Sequence, residues 1–395
     1  MPPRHRLALP RAADLRGAAA LAVDATIGVA DLAEALHASI LRTVLPFAPR
    51  GERTGGLSGF VYRRVRGTAR GVGVALELAL RTLERAADAD VDDAPSVRRE
   101  AIVAALNGVV GDRLHEAGNP LAIRTALRAG GRPVDPRRDA SGTGRRLLVL
   151  VHGLCMNDLQ WTRGGSDHGD ALARDAGWTT LRLHYCSGRR VADNGRELAD
   201  ALERLLAGRT APVDEIAIVG HSMGGLVARS ACRAAAVAGH AWPRRLSTLV
   251  FLGTPHLGAP LERGGHRLER LLAALPYAST FARLAGVRSA GIVDLRHGRV
   301  VDPAPGETEP ADAVPLPSGV RAYAIAAQLS GRSSGARGAR VGDGLVPTAS
   351  ALGEHRDARR ALGLPASHRV VVHGAGHWDL LDRPEVLDRL RRWLA

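Results

Sequence analysis

Apolar residues in the second half of the chain fall into short continuous runs separated by amphipathic segments. Runs of this length, rich in Val, Ile and Leu, are typical of strands that are buried on both faces of a sheet. The segments between them repeat their apolar positions at helical spacing, so strands alternate with helices. Such alternation predicts right-handed crossovers and a mainly parallel sheet with helices on both faces, which is an α/β fold. The predicted strands are residues 145–154, 179–185, 215–219, 246–254, 320–328 and 368–373, and the predicted helices include residues 169–176, 194–206 and 382–394.

The first part of the chain has a different pattern. Helical spacing of apolar residues predicts helices over residues 12–46 and 60–87, and shorter helical pieces over 107–118 and 121–129. A linker rich in Gly, Pro, Asp and Arg follows at residues 133–144. We therefore predict an α-helical N-terminal extension, residues 1–140, and an α/β domain, residues 141–395. The apolar stripes of the extension could pack on that domain, which we favour, on another chain, or on lipid.

The strand at residues 215–219 ends in the sequence Gly220-His221-Ser222-Met223-Gly224, which is Gly-x-Ser-x-Gly. A helical pattern begins directly afterwards. In a strand–turn–helix context this motif is a nucleophile elbow, whose sharp turn leaves no space for side chains at the two glycines. The serine hydroxyl then lies at a helix N-terminus, where free N–H groups favour a developing negative charge. Ser222 is the candidate nucleophile.

A serine needs a histidine base and an orienting acid, and in this type of sheet they follow the serine in the order acid, then histidine. His377 lies in the loop after the last predicted strand, where catalytic groups gather, and we prefer it to His373 at the strand end. Asp343 stands between two glycines after the strand at 320–328 and is the candidate acid. The poorer candidates for the acid are Asp294, Asp302, Glu307 and Glu309.

Backbone N–H groups should form the oxyanion hole. One donor is expected from Met223, directly after the nucleophile, and one from Leu154, in the loop after His152-Gly153. We interpret His256 as part of the pocket wall, because it precedes the candidate acid. Trp161 fits either the pocket or the core.

Residues 261–318 interrupt the sheet between two predicted strands. They contain apolar helical pieces, followed by a loop rich in Pro and acidic residues at 302–317. Since the insertion follows a strand edge near Ser222, we predict a lid or cap over an acyl pocket.

Composition changes this picture in three respects. The net charge is +14, but all 54 basic residues are arginine and they are spread along the chain, so we predict no nucleic-acid binding. Attraction to an acidic surface such as an anionic membrane is the more plausible of the two, although no single segment indicates it. Cys155, Cys186 and Cys232 are odd in number and lack metal-type spacing, which indicates a reducing compartment. Neither a signal peptide nor a membrane-spanning run is evident. We predict a cytoplasmic protein with, at most, peripheral membrane contact.

Five motifs occur here in the order seen in α/β-hydrolase-fold lipases. The sequence from residue 145 onwards resembles the bacterial triacylglycerol-lipase and GPI inositol-deacylase-like branch. The resemblance implies a triad of Ser222, Asp343 and His377, with Leu154 and Met223 as oxyanion donors. Asp379 matches a calcium-binding aspartate of some lipases, but one aspartate does not make a calcium site, and we assign no metal. The five motifs are His152-Gly153-Leu154, Gly220–Gly224, Gly253-Thr254-Pro255-His256-Leu257-Gly258, Asp343-Gly344-Leu345-Val346-Pro347 and His377-Trp378-Asp379.

The sequence thus predicts a serine hydrolase that cleaves carboxylic esters through an acyl-enzyme, without a cofactor. Its substrate would be a small-molecule or lipid acyl ester. Acyl transfer to an alcohol or thiol on the same triad remains open as an alternative. A non-enzymatic, membrane-associated scaffold that works through the helical extension is the alternative from another class.

Overall fold

Strands that are apolar along their whole length can be stable only in the middle of a sheet covered on both faces, and this is where the computed structural model places them. The described residues are 12–44, 53–87, 97–135, 144–259, 289–302, 314–331 and 341–395. The helices are α1 (Ala12–Val44), α2 (Gly56–Ala87), α3 (Val97–Glu116), α4 (His168–Ala176), α5 (Val191–Gly208), α6 (Met223–Ala238), α7 (Ala290–His297), α8 (Thr348–Ala351) and α9 (Pro384–Trp393). The strands are β1 (Ala126–Ala129), β2 (Arg132–Pro133), β3 (Arg146–Val151), β4 (Thr179–His184), β5 (Glu215–His221), β6 (Leu246–Leu252), β7 (Arg321–Gln328) and β8 (Arg369–His373).

These strands form one sheet with the order β2-β1-β4-β3-β5-β6-β7-β8. The six strands from β4 to β8 in this order are parallel, and β1 joins them antiparallel to β4. The central strands are almost fully buried and form one continuous core with the helices on both faces. The prediction of a mainly parallel α/β sheet is therefore confirmed. The parallel order also brings the ends of β3, β5, β7 and β8 to the same edge, where the candidate catalytic residues lie.

The chain divides into two compact units, and the division does not fall at residue 140. One unit contains residues 1–96 and 116–121, and the other contains residues 97–115 and 122–395. Helix α3 therefore belongs with the sheet. Residues 121–129, predicted as helical, instead include strand β1, whose Leu127 pairs with Leu183 of β4. The prediction of a helix there is wrong, because a glycine turn with positive φ at Gly130 and Gly131 closes a short hairpin with β2.

The predicted lid, residues 261–318, lies mostly outside the described residues. Its described part contains α7, which is held on α3 and at the start of α5. Ser289 Oγ donates a hydrogen bond of 2.8 Å to the Gly108 carbonyl, and Val191 N donates one of 2.9 Å to Asp294 Oδ2. This portion of the insertion is thus part of the packed structure of the second unit.

Candidate active site

Ser222 lies at the turn between β5 and α6 in a strained backbone conformation. Its φ is 54° and its ψ is −125°, a region that residues with a side chain rarely adopt. Its N–H donates a hydrogen bond of 2.8 Å to the Leu252 carbonyl at the end of β6. A Cβ at Gly220 would overlap the backbone of Gly225, and one at Gly224 would overlap the Val151 carbonyl oxygen. Both glycines are therefore required by close backbone approach, as expected for a nucleophile elbow.

His377 and Asp343 meet at the edge of the sheet. His377 Nδ1 lies 2.6 Å from Asp343 Oδ2, and both side chains are buried. The other oxygen, Oδ1, accepts hydrogen bonds from the N–H groups of Leu345 at 2.9 Å and Val346 at 2.7 Å. The carboxylate is thus fixed in one orientation, with one oxygen held by the backbone and one directed at the imidazole.

The remaining ring nitrogen of His377, Nε2, is buried without a hydrogen-bond partner within the described part of the chain. The ring packs against Gly253, where an added Cβ would lie 3.1 Å from His377 Cε1. Gly253 follows Leu252, whose carbonyl binds Ser222 N. His377 and Ser222 therefore border the same Leu252-Gly253 corner, with Nε2 of the imidazole available for a proton.

The loop after β3 lies beside the nucleophile. A Cβ at Gly153 would lie 3.0 Å from Ser222 Cβ, so Gly153-Leu154 passes directly next to the serine. Met223 is the first residue of α6, where the N–H has no carbonyl within the helix to bind. Both predicted oxyanion donors are therefore on segments that adjoin Ser222.

The conformation of this loop depends on Ser187, a residue that the sequence did not single out. Cys155 has a φ of 58°, and its N–H donates a hydrogen bond of 2.9 Å to Ser187 Oγ. Helix α3 closes over it, because a Cβ at Gly108 would overlap Cys155 Sγ. Ser187 is far away in sequence, so no local signal could have predicted that it fixes the loop carrying Leu154.

His221 is a second residue whose contacts the sequence could not predict. It is fully buried, and its Nε2 lies 3.2 Å from the His377 carbonyl oxygen, which accepts the hydrogen bond. The two imidazole rings are 4.8 Å apart between centroids. Burial holds the pKa of His221 well below its usual value, so the ring is neutral with its proton on Nε2. His221 thus ties the residue before the nucleophile to the backbone of the candidate base.

The other residues singled out in the sequence pack in the interior or form hydrogen bonds outside the candidate triad. Trp161 is completely buried in the core. His256 is buried with its ring against Phe251 at 4.6 Å between centroids, and its Nδ1 is 3.3 Å from Arg229 Nη1. Asp379 Oδ2 accepts a hydrogen bond of 2.8 Å from Gly376 N. Within the described ranges, no cluster of three or more His, Cys, Asp or Glu residues has the arrangement of a metal site.

Four buried histidines give the second unit a predicted dependence of stability on pH. Burial lowers the pKa of His152 to about 3 and also lowers the pKa values of His168, His221 and His256. Each is neutral when folded but takes up a proton near pH 6.5 when unfolded. The unfolded state therefore binds more protons below that pH. As the pH falls from 6.5, we expect the free energy of unfolding to decrease by up to about 1.4 kcal/mol per pH unit for each histidine.

Asp294 acts in the opposite direction, because burial raises its pKa to about 6. It favours the folded state most at low pH and loses this effect as the pH rises from about 3.9 to about 6. The combined effect of the four histidines on the free energy of unfolding exceeds the opposite effect of this one carboxyl. Urea unfolding at pH 7.5 and pH 5.0 should therefore show lower stability at pH 5.0, and equal or higher stability there would contradict the assignment of four neutral histidines.

Residues 180–313 match the model of a family described as a PGAP1-like alpha/beta domain. The matched region contains most of β4, all of β5 and β6, and the turn at Ser222. Together with the parallel strand order and the serine elbow, it supports the fold class. The second unit has an α/β-hydrolase fold. The match ends before Asp343 and His377. Only the geometry of the structure therefore supports the inclusion of these two residues in the candidate site.

Other comparisons show likeness without carrying the assignment further. No curated protein matches the sequence. Solved structures similar to the chain include the mature form of Bacillus licheniformis lipase BlEst2, with 19% identity, 69% of this chain and 98% of the other covered, and a TM-score of 0.42. Aspergillus fumigatus lipase B has 14% identity, 68% and 56% coverage, and a TM-score of 0.42. The RedJ thioesterase of Streptomyces coelicolor has 20% identity, 67% and 91% coverage, and a TM-score of 0.38.

Proposed function

We propose that the protein is a serine hydrolase of carboxylic esters, with Ser222, His377 and Asp343 as its triad. The observation that carries the proposal is the buried 2.6 Å contact between His377 Nδ1 and Asp343 Oδ2, which adjoins the strained turn of Ser222. A neutral histidine held by a carboxylate at Nδ1 presents an unprotonated Nε2, which is the form needed to accept a proton from a serine.

In the proposed reaction, Ser222 Oγ attacks the acyl carbonyl while His377 Nε2 takes its proton. The Leu154 and Met223 N–H groups stabilise the oxyanion of the tetrahedral intermediate. His377 then gives the proton to the leaving alcohol, which leaves an acyl-enzyme on Ser222. Water activated by His377 releases the acid and restores the serine. Asp343 stabilises the imidazolium that forms in each half of the reaction, and no cofactor is required.

The proposed substrate is a small-molecule or lipid acyl ester, with the insertion at residues 261–318 acting as a lid over the acyl chain. We also propose a cytoplasmic location, supported by three cysteines that are all buried as free thiols. Among the helices of the described residues, none is long and apolar enough to cross a membrane.

The experiment that tests this function follows the fate of the acyl group. Purified protein is incubated with 4-nitrophenyl esters of increasing acyl length, with and without a short-chain alcohol, and the products are separated. Hydrolysis predicts free acid as the main product in both conditions. Accumulation of the new alcohol ester at the expense of acid would instead establish acyl transfer, and no turnover of any ester by folded protein would refute the proposed function.

His221 is expected to act as a positioning residue for the proposed base. His221→Leu removes the hydrogen bond to the His377 carbonyl, whereas His221→Gln retains an N–H donor near the position of Nε2. Because displacement of a catalytic group by about 1 Å can cost about 100-fold in rate, we expect kcat to fall roughly 10–100-fold in the leucine variant, with KM little changed. The glutamine variant should recover most of the loss, and equal defects in both variants would contradict a role through this hydrogen bond.

A further inference from the structure

A buried ion pair lies between the two helices of the α1–α2 hairpin. Arg66 of α2 and Glu34 of α1 are only 4% and 2% exposed, and Arg66 Nη1 lies 2.6 Å from Glu34 Oε2. Thr54 adds two hydrogen bonds to Glu34 Oε1, and the same Arg66 nitrogen is 2.8 Å from Asp31 Oδ1. Elsewhere between the helices, the rings of His37 and Tyr62 are 6.1 Å apart between centroids, and Gly73 approaches Val23 so closely that a Cβ there would lie 3.0 Å from the valine.

Large apolar residues occupy the outer faces of both helices instead. On α1 they recur at helical spacing directly opposite the buried ion pair, and one of them, Leu32, is 72% exposed. On α2 the exposed apolar residues form two rows at helical spacing, with Phe60, Val74 and Leu78 on one side and Val61, Val65, Val72 and Leu76 on another. In a water-soluble helix pair the large apolar residues normally lie between the helices, and the outer faces are polar. The exposed apolar residues are Val29, Leu32 and Leu36 on α1, and Phe60, Val61, Val65, Val72, Val74, Leu76 and Leu78 on α2.

The outer surface of α2 is also strongly basic. From Gly56 to Leu76 the helix contains four arginines and no acidic residue. Three of them, Arg63, Arg64 and Arg70, are exposed, and helical spacing places them on either side of the row formed by Phe60, Val74 and Leu78. The Arg64 guanidinium lies 5.1 Å from the centre of the Phe60 ring, so its stem follows apolar surface while its charge stays outside. A helix with an apolar face flanked by arginines is suited to the boundary between acyl chains and anionic headgroups.

We propose that the α1–α2 hairpin binds the surface of anionic bilayers through this face of α2. Phe60, Val74 and Leu78 enter the acyl boundary, and Arg63, Arg64 and Arg70 bind lipid phosphates. A second copy of the chain fits less well, because a twofold interface would bring the same arginines together. The proposal does not depend on catalysis, and it gives residues 1–96 a task that the hydrolase chemistry leaves open.

The test measures vesicle binding by the full-length Ser222→Ala protein, which leaves the lipid intact. Sedimentation compares vesicles of phosphatidylcholine alone with vesicles that contain 30% phosphatidylglycerol, at low and high salt. Binding is expected only to the anionic vesicles and should weaken with salt. Replacing Arg63, Arg64 and Arg70 by Gln should weaken it about 100-fold, because each basic residue near such a surface contributes about 1 kcal/mol. Replacing Phe60, Val74 and Leu78 by Thr should weaken it without any change in charge.

The matched control replaces three exposed arginines of the hydrolase domain, Arg174, Arg204 and Arg356, by Gln, which changes the net charge by the same amount. This control should bind as before. An equal loss of vesicle binding in the control would overturn the proposal in favour of general charge attraction. The absence of binding by the full-length Ser222→Ala protein with an unchanged hairpin would overturn it outright. Light scattering completes the test, because a dimer that dissociates in the threonine variant would assign the face to a second copy. Circular dichroism confirms that each variant is folded.

Discussion

Ser222→Ala is expected to abolish ester hydrolysis, with a loss in kcat on the order of 10⁴–10⁶-fold. The hydroxyl oxygen is the atom that bonds to the acyl carbon, and no neighbouring group can replace it. Alanine has the same backbone requirements as serine at a φ of 54°, so the elbow and the fold should remain. Activity measured with a 4-nitrophenyl ester, together with circular dichroism, distinguishes lost chemistry from lost structure.

Fluorophosphonate labelling gives a second measurement on the same serine. Wild-type protein should be labelled once per chain, and Ser222→Ala should not be labelled. Ser247→Ala is a suitable control, because it removes a partly buried hydroxyl on the neighbouring strand β6. Labelling that persists in Ser222→Ala, or that is lost in Ser247→Ala, would show that the nucleophile lies elsewhere.

Asp343→Asn is expected to lower kcat by about 10⁴-fold while the protein stays folded. The carboxylate accepts three hydrogen bonds, two from backbone N–H groups and one from His377 Nδ1. An asparagine that keeps its oxygen towards the backbone must present its NH₂ group to the imidazole. The proton of His377 then moves to Nε2, and the base can no longer accept a proton from the serine.

The pH dependence of activity and a matched variant test this explanation. Asp382→Asn makes the same chemical change at a carboxylate that pairs with Arg163 near the surface, and it should leave kcat almost unchanged. Asp343→Asn should regain part of its activity at high pH, where hydroxide can replace the missing base. Near-normal turnover of Asp343→Asn at pH 7 would remove Asp343 from the triad.

The hydrolase domain illustrates which structural information a sequence holds locally. Strands β3 to β8 were predicted to within a few residues, since a strand buried on both faces must be apolar throughout and is followed by a turn or a helix. The elbow could also be predicted from local sequence, because its two glycines are required by contacts within a few residues or with the adjacent strand. Strand β1 was missed because it is four residues long and its stability comes from pairing with β4.

The sequence by itself determined the α/β class, the order of the strands along the chain, and the three residues proposed for catalysis. Their order and their positions after strands suffice for that choice. Only the tertiary structure decided which atoms meet. Three contacts join residues distant in sequence: His221 with the His377 carbonyl, Ser187 with the loop that carries Leu154, and Arg66 with Glu34 in the N-terminal hairpin. Such contacts depend on how the elements pack in space, and no periodicity along the chain encodes them.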